Sequence, residues 1–169
     1  MKRSFSLALS VLLLFSILCM LGGCHKEDPQ IIGTWQAEID YADVVNDVLN
    51  SSKPVKSFLL PTTFTFLSDG TYTIDVDTSK IMFMIFQSDY MIGQLADRLG
   101  TQTRGHYRAE DGKIYMTTDM DAELTETNYD LYQIEGDTLT LSECHCHKGE
   151  GFPNIPWDLY PITLTRPTE

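Results

Sequence analysis

Beyond residue 30 the chain is written largely in period two. Thr62-Thr63-Phe64-Thr65-Phe66-Leu67 and Thr71-Tyr72-Thr73-Ile74-Asp75-Val76 alternate polar with apolar residues on either side of Ser68-Asp69-Gly70. Successive side chains of a strand point to opposite faces, so Phe64 and Phe66 share one face of the first arm, and Tyr72, Ile74 and Val76 share one face of the second. The acidic-glycine turn between them suits a tight antiparallel connection, and the segment is predicted to be a hairpin. The unit recurs twice. Residues 105–109 and 113–117 flank Glu110-Asp111-Gly112, and residues 129–134 and 138–142 flank Glu135-Gly136-Asp137. A further strand is predicted over residues 31–39, alternating imperfectly from Trp35 onward. A closing strand is predicted over Pro161-Ile162-Thr163-Leu164-Thr165, with proline tolerable at its first position.

Two segments depart from this period. After Asp40, which can cap a helix, Val44, Val45, Val48 and Leu49 fall at helical spacing, and Asn50-Ser51-Ser52-Lys53-Pro54 breaks the run. Between the first and second hairpins, residues 81–86 are continuously apolar. Tyr90, Met91, Gln94, Leu95, Arg98 and Leu99 extend a helical spacing from Ser79 to a stop at Gly100, although Gly93 weakens it. A single buried strand over residues 80–86 is the alternative. Met82, Phe83, Met84, Phe86, Tyr90 and Met91 read as core, or as an adaptable apolar lid or partner-binding patch. The expected fold is therefore mainly β: an eight-stranded antiparallel up-and-down barrel with one or two short helical insertions, closed because closure removes exposed strand edges. A barrel of this size holds one small ligand or only its own side chains.

The N-terminal segment has a different layout. Lys2-Arg3 precedes apolar runs at residues 11–15 and 17–21, which end in Leu21-Gly22-Gly23-Cys24 and the polar His25-Lys26-Glu27-Asp28-Pro29. The apolar core is short for a bilayer and no basic stop-transfer cluster follows, so a secretory signal is the better reading than a spanning helix. Leu21-Gly22-Gly23-Cys24 resembles a bacterial lipobox. That resemblance implies cleavage before Cys24 and a covalent lipid on it, so that the chain sits on a membrane without crossing it. The expected organisation is a signal peptide at 1–23, a polar tether at 24–30 and a barrel domain at 31–166. The expected location is the extracytoplasmic face of a cell membrane or outer membrane.

Charge narrows the partners. The chain carries 24 acidic against 12 basic residues, a net charge of −12, and the leader contributes only bases. Such a field repels nucleic acid and anionic headgroups, so attachment is expected to depend on lipid rather than on basic residues. Of the four cysteines, Cys19 leaves with the leader and Cys24 takes the lipid, so Cys144 and Cys146 cannot found a disulfide framework.

Gly33-Thr34-Trp35, Phe64-x-Phe66 leading into Asp69-Gly70-Thr71-Tyr72, Gly105-x-Tyr107 before Asp111-Gly112-Lys113, and Gly136-Asp137-x-Leu139-x-Leu141 form an ordered series. The series resembles the lipocalin-like domain of bacterial lipoproteins. The resemblance implies a lipocalin-like barrel in which Gly33 and Trp35 mark the first strand and Trp35 packs across the closed end. The helix expected between the first two strands resembles the lid of fatty-acid-binding proteins. Ligand contacts in such a barrel are expected among Phe64, Phe66, Tyr72, Tyr107, Tyr115 and Phe83.

The densest set of ligating groups is Cys144-His145-Cys146-His147, beside Glu143. On a continued strand both thiols share one face and both imidazoles the other, so a transition metal would need further donors such as Glu143 or His106. A polar turn is the plainer reading. Asp119, Asp121, Glu123 and Glu126 read as a solvated acidic loop and do not spell a calcium loop. No Gly-x-Ser-x-Gly elbow occurs, and neighbouring cysteine and histidine on a strand point apart, so no catalytic residue is expected. The expected function is that of a lipid-anchored protein binding a small apolar or amphipathic ligand without catalysis, and with no cofactor beyond the covalent lipid. Two alternatives stand beside it: an envelope-structural or protein-interaction module whose barrel is filled, and a metal-binding or redox-sensing protein using residues 144–147.

Overall fold

The computed structural model describes residues 28–49, 54–79, 81, 89–99, 102–145 and 160–168. Eight strands run β1 (Gly33–Asp40), β2 (Leu59–Phe66), β3 (Thr71–Val76), β4 (Gln102–Glu110), β5 (Lys113–Thr117), β6 (Tyr129–Glu135), β7 (Thr138–His145) and β8 (Ile162–Thr165). Each pairs antiparallel with the next, and β1 returns to β8, so the sheet is a closed barrel without a free edge. The three hairpins read from the alternation are β2–β3, β4–β5 and β6–β7. Register puts core residues side by side: Trp35 lies opposite Phe64, Phe64 opposite Ile74, and Phe66 opposite Tyr72. Every second residue of β2 from Leu60 to Phe66 and of β3 from Tyr72 to Val76 is buried, as the pleat requires for strands with one face inward.

The two ends of the barrel differ. The three tight turns and the segment before β1 gather at one end, where the connections are too short to leave an opening. At the other end lie two helices, α1 (Ala42–Leu49) between β1 and β2, and α2 (Asp89–Leu99) between β3 and β4. Asp40 starts α1 as expected: its Oδ1 accepts the Ala42 N–H at 2.9 Å and the Phe58 N–H at 2.8 Å. These bonds, the one from Phe58 foremost, hold its carboxyl below the usual range. α1 buries Ala42 and Val45, while α2 buries Leu95 and Leu99, and all four join the barrel's hydrophobic core. The helices also pack on one another, with an exposed Arg98–Asp47 pair 3.7 Å apart that contributes little. No described helix is long and apolar enough to cross a membrane.

The helix expected over residues 79–99 is seen at Ser79 and Ile81 and again as α2. Phe83 and the apolar set around it, and with them the alternative strand over residues 80–86, lie outside the described residues. So do residues 1–27, which include Cys24, and residues 146–159, which include Cys146 and His147. Asp28, in the segment expected as a tether, is bonded to the barrel: its N–H donates to the Ala109 carbonyl at 2.9 Å.

One irregularity sets the phase of the rim. Leu141 pairs with Tyr132 but Glu143 pairs with Leu131, so Ser142 is an extra residue and β7 carries a bulge. Leu139 and Leu141 face the core before it. Beyond it the alternation is reversed, and Cys144 takes the inward position opposite Asp130 while Glu143 and His145 point out.

Candidate functional site

The closed end is assembled around Trp35, which is fully buried. Its indole N–H donates to the Ile31 carbonyl at 2.7 Å. The guanidinium of Arg166, just past β8, lies over the indole with 4.1 Å to the ring centroid. Arg166 Nη2 donates to the carbonyls of Gln30 at 2.8 Å and Ile32 at 3.3 Å. Its backbone N–H reaches Asp137 in the β6–β7 turn at 2.9 Å. Gly33 has φ of 122°, a conformation that side-chain-bearing residues avoid, and a Cβ there would run into the Arg166 guanidinium. Gly33 and Trp35 thus both lie at the start of β1, with Trp35 packed into the closed end. Arg166, their partner, was not singled out in the sequence, where only its isolated position after the last alternating run marks it.

Asp28 closes the same end from the N-terminal side. Its Oδ2 accepts the Tyr132 hydroxyl at 2.9 Å and its Oδ1 accepts the Gln30 N–H at 3.0 Å. Burial, followed by the carboxylate of Asp28, pushes the Tyr132 phenol well above the ordinary tyrosine range.

Four of the expected ligand contacts, Phe64, Phe66, Tyr72 and Tyr107, do face inward, each at most 3% exposed. Phe66 touches two of the others. Phe66 meets Tyr107 edge to face at 5.0 Å between centroids and Tyr72 at 6.4 Å. The Tyr107 hydroxyl donates to the Leu67 carbonyl at 2.9 Å, and that of Tyr72 approaches the Thr117 carbonyl at 3.5 Å. The interior near the closed end is therefore occupied by aromatic rings whose polar tips are satisfied at the wall.

Tyr115 corrects the expectation. It alternates with the core residue Ile114 and so lies on the outer face of β5, outside the core cluster, although only 3% exposed. What buries it is a stack on the outside of the wall. Arg108 lies over its ring at 4.5 Å, Tyr129 follows at 5.8 Å, and Tyr129 is stacked on His145 at 4.8 Å with Lys113 over it at 4.6 Å. Arg108 is held in turn by Glu110 at 3.0 Å and by Glu126 from the acidic loop. The Tyr115 position was misread because alternation fixes which residues share a face but not which face is inside.

The charged group of the interior among the described residues is one the sequence reading passed over; the other buried polar side chain is Thr62. Asp130 is 2% exposed on the inward face of β6, opposite the core residue Ile114 on one side and Cys144 on the other. The Tyr160 hydroxyl donates to its Oδ1 at 3.0 Å. Its parity with Tyr132, a core residue, was the signal available; an aspartate between Tyr129 and Leu131 reads as the solvent face. Asp130 and Cys144 together line the inner wall toward the helical end.

The ligating run divides as a strand requires: Cys144 inward, His145 outward, stacked on Tyr129 and 3.5 Å from the Glu143 carboxylate. His106 sits on another strand with Nε2 unpartnered among the described residues. Among those residues no three histidine, cysteine or acidic side chains converge as a metal set. No protein-family model matches the chain, and no curated protein or solved structure matches it either.

Proposed function

We propose that the chain is a lipid-anchored, extracytoplasmic lipocalin-like protein that binds a small amphipathic molecule in the helix-covered half of its barrel, without catalysis. The observation that carries this reading is Asp130. A carboxylate inside a wall built mostly of hydrocarbon and aromatic rings is costly to bury, and such groups concentrate where a ligand is oriented. The ligand that fits has an apolar body and a neutral donor or cationic group turned toward Asp130. The net charge of −12 favours the same choice over an anionic fatty acid. Lipid anchorage rests on the Leu21-Gly22-Gly23-Cys24 motif.

Native mass spectrometry of gently purified protein tests the reading. Bound small molecules are expected on the wild type and lost in Asp130→Asn with the fold retained by circular dichroism. A uniformly empty barrel that also fails to bind apolar dyes overturns it.

The second reading is an envelope scaffold with a filled barrel, supported by Trp35, Phe66, Tyr72 and Tyr107 packed together inside the wall. It requires a protein neighbour, which crosslinking in intact cells would capture.

A further inference from the structure

We infer that the barrel is held closed end toward the membrane, so that its helix-covered mouth faces the aqueous compartment and its ligand arrives through water rather than from the leaflet that carries the anchor. This rests on the lipidation of Cys24 proposed above. The geometry comes from Asp28. Its N–H is bonded to Ala109 at the end of β4, its carboxylate to Tyr132 and Gln30, and the carbonyls of Gln30 and Ile32 to Arg166. The chain is thus fastened to the closed end by bonds from three separate elements before β1 begins.

Only four residue steps separate Asp28 from Cys24. Fully extended they span at most about 14 Å. The wall is taller than that. Strands of eight and nine residues such as β1 and β4, rising about 3.3 Å per residue and tilted by about 40°, stand about 20 Å high, and α1 and α2 add to this at the far end. A lipid at Cys24 therefore cannot reach round the barrel to press the mouth against the bilayer. The exposed face nearest the anchor consists of the Leu67-Ser68-Asp69 turn, Asp111 and the Asp137 turn, whose acids stay in water beside the headgroups rather than entering them. A ligand taken at Asp130 must then be soluble enough to travel, or be handed over by a carrier, which points to an amphiphile with a short apolar part and against a bilayer lipid of two long chains.

The test uses the full chain purified from membranes and placed in vesicles bearing a headgroup-attached quencher. Single fluorophores are introduced by non-canonical residues at Ser68, in the β2–β3 turn, or at Gln94, on α2, both exposed. The Ser68 probe is expected to lose most of its emission and the Gln94 probe little. Equal quenching, or stronger quenching at Gln94, overturns the orientation. A long Gly/Ser insertion between Glu27 and Asp28, which leaves the Asp28 bonds in place, is expected to erase the difference; an undiminished difference shows that the short tether is not its cause. Mass analysis of the same preparation reads anchorage separately: a chain with no lipid on Cys24 removes both the anchorage reading and this inference, whereas a lipidated chain with the wrong quenching removes only the orientation.

Discussion

Arg166 covers the indole of Trp35 at 4.1 Å and in doing so joins the residue after the last strand to the first strand and to the segment before it. The contact combines a cation over a ring with two donated hydrogen bonds at the end where β1 meets β8, a pair linked in register only through Gln36 and Thr165. Arg166→Ala is expected to destabilise the barrel by about 1–3 kcal/mol, and Arg166→Lys by nearly as much because an ammonium cannot serve both carbonyls in the same plane. Urea unfolding followed by tryptophan fluorescence measures both. Unchanged midpoints would show that β1–β8 closure does not depend on this cap.

Two glycines separate crowding from helix propensity. A Cβ on Gly105 would collide with the Thr117 carbonyl and sit 2.7 Å from the Tyr72 ring, whereas Gly93 in α2 is exposed with nothing within 4 Å. Gly105→Ala is expected to cost about 2 kcal/mol or more, because the β4–β5 pairing or the Tyr72 ring must shift. Gly93→Ala should raise stability by about 0.5–1 kcal/mol. Thermal unfolding of the two variants should move in opposite directions.

Asp40 ties stability to acid. Its folded carboxyl lies below the usual range because the Phe58 and Ala42 N–H groups favour the ionised form. The resulting contribution is complete above the unfolded carboxyl range near about pH 4 and is lost as pH falls through the folded value. Asp40→Asn should therefore lower the melting temperature near neutrality and flatten this part of the acid limb, with the deficit shrinking in melts taken toward about pH 3.

The opposite limb belongs to tyrosine. Burial raises the phenols of Tyr41, Tyr72 and Tyr132, so the folded state favours their neutral form. Stability from these groups is full below the unfolded phenol value near about 10 and declines as pH rises beyond it. Ultraviolet titration should show a late-ionising set released together with unfolding. Tyr132→Phe, which removes both the phenol and its bond to Asp28, should lower the melting temperature near neutrality, with the deficit shrinking as pH rises above about 10.

The sequence disclosed the wall more readily than its contents. Phe64, Phe66, Tyr72 and the acidic-glycine turns announce hairpins because alternation and turn chemistry are local properties. Trp35 could be assigned to the first strand for the same reason. Arg166, Asp28 and Tyr132 could not be linked, since their contacts join distant parts of the chain and leave no local period. Asp130 hid because a charged residue in an alternating run reads as solvent-facing, and Tyr115 because a ring can be buried on the outside of a barrel by an arginine and a neighbouring ring. The bulge at Ser142 has no turn residue to announce it.

That single residue out of step divides β7 into two stretches of opposite sequence phase. Deleting Ser142 would make the ladder regular, with Glu143 following Leu141 directly, and would leave Cys144 inward opposite Asp130 and His145 outward. The bulge thus absorbs the odd residue locally, so the rim keeps its pairing with β6 while Leu139 and Leu141 keep their places in the core.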